Sequence, residues 1–156
     1  MRPENLAKIG LFAAVAIGLA TLAGCGGAYD ATAHGIVTLD GKAVPRGMVS
    51  FHLVSGGPAA YAMIGDDGRY VSRTGRDEGL PAGEYQVSVT ANEAPAKAQS
   101  DKGGPPAPGK AITPEWYRMK ETSGLKFTVK PGKNEINLEL TNKPPAGWKS
   151  GGQKQT

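Results

Sequence analysis

The sequence predicts an all-β sandwich of seven short strands, and three observations carry that prediction. Apolar and polar residues alternate with period two over much of the segment from about 34 to 142, the pattern of a strand with one buried face. Asp-Gly and Pro-Gly pairs stand between or within the alternating stretches, where hairpin turns belong. No ordinary-length helical pattern is evident in that span. Two sheets that are each apolar on one face bury those faces by packing together, and about 110 residues suffice for one such unit.

The elements follow in chain order. In GIVTL, Val37 and Leu39 share one face while Ile36 and Thr38 take the other, and Asp40-Gly41 turns the chain. In MVSFHLV, Val49, Phe51 and Leu53 alternate with Ser50 and His52. From Ala60 to Thr74 a hairpin is expected about Asp67-Gly68, with alternation too irregular to assign its buried face. In GEYQVSVTA, Tyr85, Val87 and Val89 point inward. Leu125, Phe127 and Val129 then alternate with lysines and a threonine, Pro131-Gly132 turns, and Ile136, Leu138 and Leu140 close the series. These inward residues are the expected core.

Two stretches break the pattern. The loop 92–122 begins Ala/Pro/Gly/Lys-rich, and a loop of that length is usually functional or disordered. The tail 143–156 carries too little apolar content to order itself. Trp116 and Tyr117, flanked by Glu115 and Arg118 late in the loop, are the candidate binding residues. An exposed aromatic pair stacks on sugar rings or anchors a protein partner. The competing reading has Trp116 folding back over a sheet edge or the open end of the core, as large aromatics usually do.

The front of the chain is a targeting segment. Arg2 and Lys8 precede an uncharged stretch from Ile9 to Gly24, shorter than the ~20 apolar residues a bilayer-crossing helix needs. Cys25 is the sole cysteine, so an internal disulfide is excluded. Leu22-Ala23-Gly24-Cys25 resembles the lipobox of bacterial lipoproteins at all four positions. That resemblance implies a signal peptide over 1–24, cleavage before Cys25 and acylation of Cys25 by diacylglyceryl and fatty-acyl (palmitate-type) chains. Several chains are needed because one anchors only marginally. An uncleaved anchor, or a thiol discarded with the signal, is the alternative. Residues 25–33 would form a tether. Gly26 stands where an Asp would signal inner-membrane retention, which by the same analogy favours the outer membrane.

The body carries a second resemblance. HGIVTLDGKAVPRGMVSFHLV resembles the opening of carboxypeptidase regulatory-like domains, GDDGRY their Asp-Gly-x-aromatic hairpin, and LPAGEYQVSV their Pro-x-Gly-x-Tyr strand entry. ETSGLKFTVKPGKNEINLEL is similar to the ending of small lipoproteins of this type. The match spans most of 34–140 apart from the long loop, within an expected domain of 34–142. It implies a transthyretin-like (prealbumin-type) Greek-key sandwich and a non-catalytic structural or binding module. A carbohydrate- or peptide-binding accessory of a larger envelope enzyme or transport system is the second reading. The expected partners are the membrane, through the lipid anchor, and an envelope protein or polysaccharide.

Catalytic chemistry is hard to place. His34 and His52 could approach one another if their strands pair, but no third ligand at a metal-binding spacing is present. There is no Gly-x-Ser-x-Gly elbow. The C-terminal GGQKQT differs from the Tyr-Arg-Gly-Ser ending of the transthyretin-like hydroxyisourate hydrolases. Turn chemistry accounts for Asp66-Asp67-Gly68 without calcium. Lys42 or Lys130 with Asn137 or Asn142 are the residue types of an isopeptide crosslink, with no buried acid assignable beside them. A net charge of +4 from scattered lysines speaks against nucleic acid. The expectation is no enzyme, no cofactor and no metal.

Overall fold

A computed structural model describes residues 28–95 and 109–149. The expected signal segment and Cys25 lie outside the described residues, as do positions 96–108 of the long loop and 150–156 of the tail.

The first strand, β1 (Ala31–Leu39), is the hub of one sheet. Along one edge it pairs in parallel with β10 (Gly132–Glu135) and then with β11 (Leu138–Leu140). Along the other it pairs antiparallel with β5 (Arg69–Val71) and then with β2 (Lys42–Ala43). Asp40 and Gly41 both adopt positive φ, 48° and 79°, the left-handed backbone conformation that Asp-Gly tolerates and that matches the right-handed twist of the paired strands. The strand begins three residues before His34: Ala31 and Ala33 are buried core residues, so the end of the expected tether belongs to the sheet.

The handover from β10 to β11 depends on Gly35. A Cβ there would collide with the Ile136 carbonyl. The Asn137 side chain then accepts the Ile36 backbone N–H at 3.0 Å, so the ladder is interrupted without leaving that donor unpaired.

The second sheet runs β7 (Asp77–Glu78), β6 (Arg73–Thr74), β4 (Ala60–Ile64), β3 (Gly47–Leu53), β8 (Gly83–Thr90) and β9 (Leu125–Val129). All its pairings are antiparallel. The two sheets form a sandwich-like arrangement around Val37, Phe51, Leu80, Tyr85, Val87, Val89 and Leu138, all almost wholly buried. Burial of each large apolar side chain contributes about 1.5–3 kcal/mol.

The expected hairpin at Asp67-Gly68 and the expected turn at Pro131-Gly132 are both sheet-to-sheet crossings. The Asp67-Gly68 turn carries the chain from β4 in one sheet to β5 in the other, and Pro131-Gly132 does the same between β9 and β10. Alternation specifies which face of a strand is buried but not which neighbour it pairs with, because both sheets bury the same kind of face. Among the described residues the count rises from seven to eleven because two stretches divide, β5 from β6 at Ser72 and β10 from β11 at Ile136-Asn137, and the short β2 and β7 are added. In β4, Ala60, Ala62 and Ile64 are buried while Tyr61 and Met63 face solvent, which assigns the face that alternation leaves open.

Candidate functional site

The second half of the long loop is part of the body. β9 pairs with β8 only as far as Val87, and among the described residues no strand follows it along the rest of that edge. The segment from Ile112 to Ser123 takes over. Ile112 donates to the Ala91 carbonyl at 2.8 Å. The Thr113 hydroxyl accepts from Ala91 N–H at 3.0 Å and donates to the Val89 carbonyl at 3.3 Å, and the Ser123 hydroxyl donates to the Val87 carbonyl. Side chains thus satisfy the edge that a further strand would otherwise occupy.

Within this segment a 3-10 turn, Glu115–Arg118, places Trp116 and Tyr117 inward. They are 9% and 7% exposed and belong to the core. The Tyr117 hydroxyl accepts the Thr141 N–H at 3.2 Å, just past the end of β11 in the other sheet. The pair therefore closes the open end between the sheets. Both rings are buried in the core, as the fold-back reading of Trp116 expects, and are not the exposed pair that the binding reading supposes. The tail contributes as well. Trp148, expected to lie in a disordered tail, packs on the core with its ring 5.8 Å from that of Trp116 at 64°.

The two histidines are also separated. β1 and β3 lie in different sheets, so His34 and His52 stand on opposite outer faces and cannot share a ligand. His34 sits in a shallow cleft of mixed lining with Ile36, Arg69, Tyr70, Glu135 and Asn137. Burial lowers the pKa of His52, Lys120 lowers it further and Glu121 opposes both. Among the described residues no three His, Cys, Asp or Glu side chains gather as a metal-holding group. Asp67 serves its turn, accepting Arg69 N–H at 3.0 Å and pairing with the Arg69 side chain at 3.3 Å. Lys42, Lys130, Asn137 and Asn142 are all exposed. Asn142 donates to Asp40 at 2.6 Å, and that bond leads the causes that lower the Asp40 pKa.

What the sequence does not reveal is the outer face of the second sheet. Cross-strand register aligns Met63 with Met48 and Met48 with Thr90, and aligns Tyr61 with Ser50 and Ser50 with Ser88. Met63 is 73% exposed, Tyr61 46% and Met48 39%. Ser50 and Ser88 are buried even though they point outward, so they form a small polar floor beside these larger side chains. At the Met48 end the face deepens into a groove lined by Arg46, Met48, Met63, Thr90, Glu93 and Pro95. The signal in the sequence is Met48 and Met63 at strand positions facing away from the core. Alternation places Met48 on the face away from Val49 and Phe51, but the pair is unreadable because alternation does not assign the face of 60–64.

No protein-family profile, curated protein or solved structure matches this chain.

Proposed function

We propose that this protein is an exported cell-envelope lipoprotein, held by acyl chains on Cys25, whose transthyretin-like Greek-key sandwich is a non-catalytic structural or binding module. The observation that carries the binding role is the methionine-bearing outer face of the second sheet. Contiguous exposed apolar side chains rimmed by polar groups mark interaction surfaces. Methionine suits such a surface because its unbranched, polarizable side chain repacks against varied apolar partners. Here Met48 and Met63 are bordered by Arg46, Asn92 and Glu93. The central position of β1, parallel to the last two strands, supports the transthyretin-like reading. The Leu22-Ala23-Gly24-Cys25 sequence supports the anchor.

The second reading, an accessory that binds carbohydrate or peptide for a larger envelope enzyme or transport system, draws support from Tyr61. This aromatic lies exposed on the same face and could stack on a sugar ring. Trp116 offers that reading nothing.

Two measurements test the proposal. Intact mass from the native membrane fraction, beside Cys25→Ala, should show residues 1–24 removed and acyl mass added only in the parent. A photo-crosslinker at position 63 should give a discrete adduct that Met48→Asp abolishes, while one at exposed Met119 gives none. An unmodified Cys25 refutes the anchor. Equal adducts from positions 63 and 119 refute the binding face.

A further inference from the structure

The anchor and the sandwich are joined by very little free chain. Asp30 is held on both sides: its carbonyl accepts Gly132 N–H at 2.8 Å and its carboxylate accepts Ala82 N–H at 2.9 Å. Ala31 follows at 2% exposure, its carbonyl bonded to Leu80 N–H at 2.9 Å. Only positions 26–29 separate Cys25 from this fixed point. Even fully extended, the five steps from Cys25 to Asp30 reach about 17 Å.

The strands define two poles. At the Asp30 pole lie the loop 79–83, the turn at Gly75-Arg76 between β6 and β7, and the Pro131-Gly132 corner with Lys130 and Lys133. β1 leads away from it for nine residues, about 30 Å at 3.3 Å per residue. The opposite pole holds the Asp40-Gly41 turn and, at the corresponding end of the second sheet, the groove with Met48, Met63 and Thr90.

We infer that the Asp30 pole is the surface that meets the bilayer, and that the methionine groove is held at the far end of the sandwich, away from the lipid. This rests on the lipid-anchor reading above. The partner of the Asp30 pole is the phospholipid headgroup layer, identified by the length of chain that ends in the acylated residue. The tether, not charge, sets the orientation. The pole carries Arg76, Lys130 and Lys133 but also Asp30, Asp77 and Glu84, so it has no strong field of one sign to pull it onto anionic lipid. A tether of twenty residues would let the sandwich tumble freely; one of four keeps the Asp30 pole within about 17 Å of the anchor.

The experiment uses the full acylated protein. Because acylation consumes its sole thiol, single-cysteine variants can be labelled cleanly. Arg76→Cys reports the Asp30 pole and Lys42→Cys the opposite one; both positions are exposed. Each labelled protein is placed in phosphatidylethanolamine–phosphatidylglycerol vesicles bearing a headgroup-attached paramagnetic quencher. Quenching at position 76 should exceed that at position 42 by at least about threefold, given reaches of about 17 Å and nearly 50 Å. The contrast should persist in 1 M salt, where screening shortens to about 3 Å. Equal quenching at the two positions overturns the orientation, and a contrast abolished by salt overturns its setting by the tether. Intact mass on the same samples separates these failures from failure of the anchor: protein without acyl mass overturns both.

Discussion

Tyr70 is the clearest point at which a single atom joins separate parts of the fold. Its ring is 3% exposed, and its hydroxyl donates to the carbonyl of Ile136, between β10 and β11. Tyr70→Phe keeps the ring and removes the bond. The net loss is about 1–2 kcal/mol, a typical buried hydrogen bond plus part of the cost of the stranded carbonyl. Burial also raises the Tyr70 pKa well above the ordinary 10.0. The folded state therefore keeps a proton that the unfolded chain releases, so stability is fully present below pH 10 and falls as pH rises above it. At pH 11 this costs the parent protein about 1.4 kcal/mol, a cost Tyr70→Phe does not carry. The variant should be less stable by about 1–2 kcal/mol at pH 7, with the gap nearly closed at pH 11. Urea unfolding of both proteins at pH 7, 10 and 11 measures this. Tyr85, whose pKa is also raised by burial and by Asp30, is common to both and cancels. A gap that stays constant from pH 7 to 11 would refute the reasoning.

Other outcomes follow from the same packing. Trp116→Ala should cost about 3–5 kcal/mol as a core truncation. Trp148→Ala removes a partly buried ring that packs on the core and edge-on against Trp116, and should cost less than Trp116→Ala, about 1–3 kcal/mol. With only two tryptophans in the chain, each variant leaves one emitter, and urea unfolding followed by fluorescence reads both. Ser72→Ala strands the buried Ala33 N–H that Ser72 accepts at 2.9 Å, and thermal unfolding should register about 1–3 kcal/mol. The lowered pKa of His52 means that the unfolded chain binds a proton first as pH falls below 6.5. Stability then declines toward acid, and His52→Gln should flatten that part of the melting-temperature profile between pH 7 and 5.

Alternation carries the faces of the strands and not their partners. Val49, Phe51, Tyr85, Val87, Leu138 and Leu140 are inward by alternation alone, and all lie in the core. Leu53, Leu125 and Phe127 pack on the core but remain partly exposed. For the two on β9 the reason is its place at the edge of the sheet, with a neighbour on only one side. The corner at Asp67-Gly68 reads as a hairpin, and that at Pro131-Gly132 as a turn, because a turn pair is the same whether the chain returns to its own sheet or crosses to the other. Trp116 is ambiguous in sequence for a different reason. Its fate depends on the unpaired length of β8, which is fixed by where β9 begins, a non-local fact. The exposed methionines are hard to see because an apolar residue on the outer face of a strand looks like noise in an alternating pattern.

The pairing of β1 with β10 and β11 also governs the order of events as the chain folds. Ile36 takes its side-chain partner from Asn137, 101 positions later. Until those last strands exist, the hub strand has no parallel neighbour, and Ala31, Ala33 and Val37 have only part of their cover. The β3–β4 and β8–β9 pairings enclose shorter loops and can form first. Contacts this distant slow folding, since the closure entropy is spent before any contact rewards it. A chain built this way stays open until its end has been made. That delay leaves β1 exposed to wrong strand partners for the same interval.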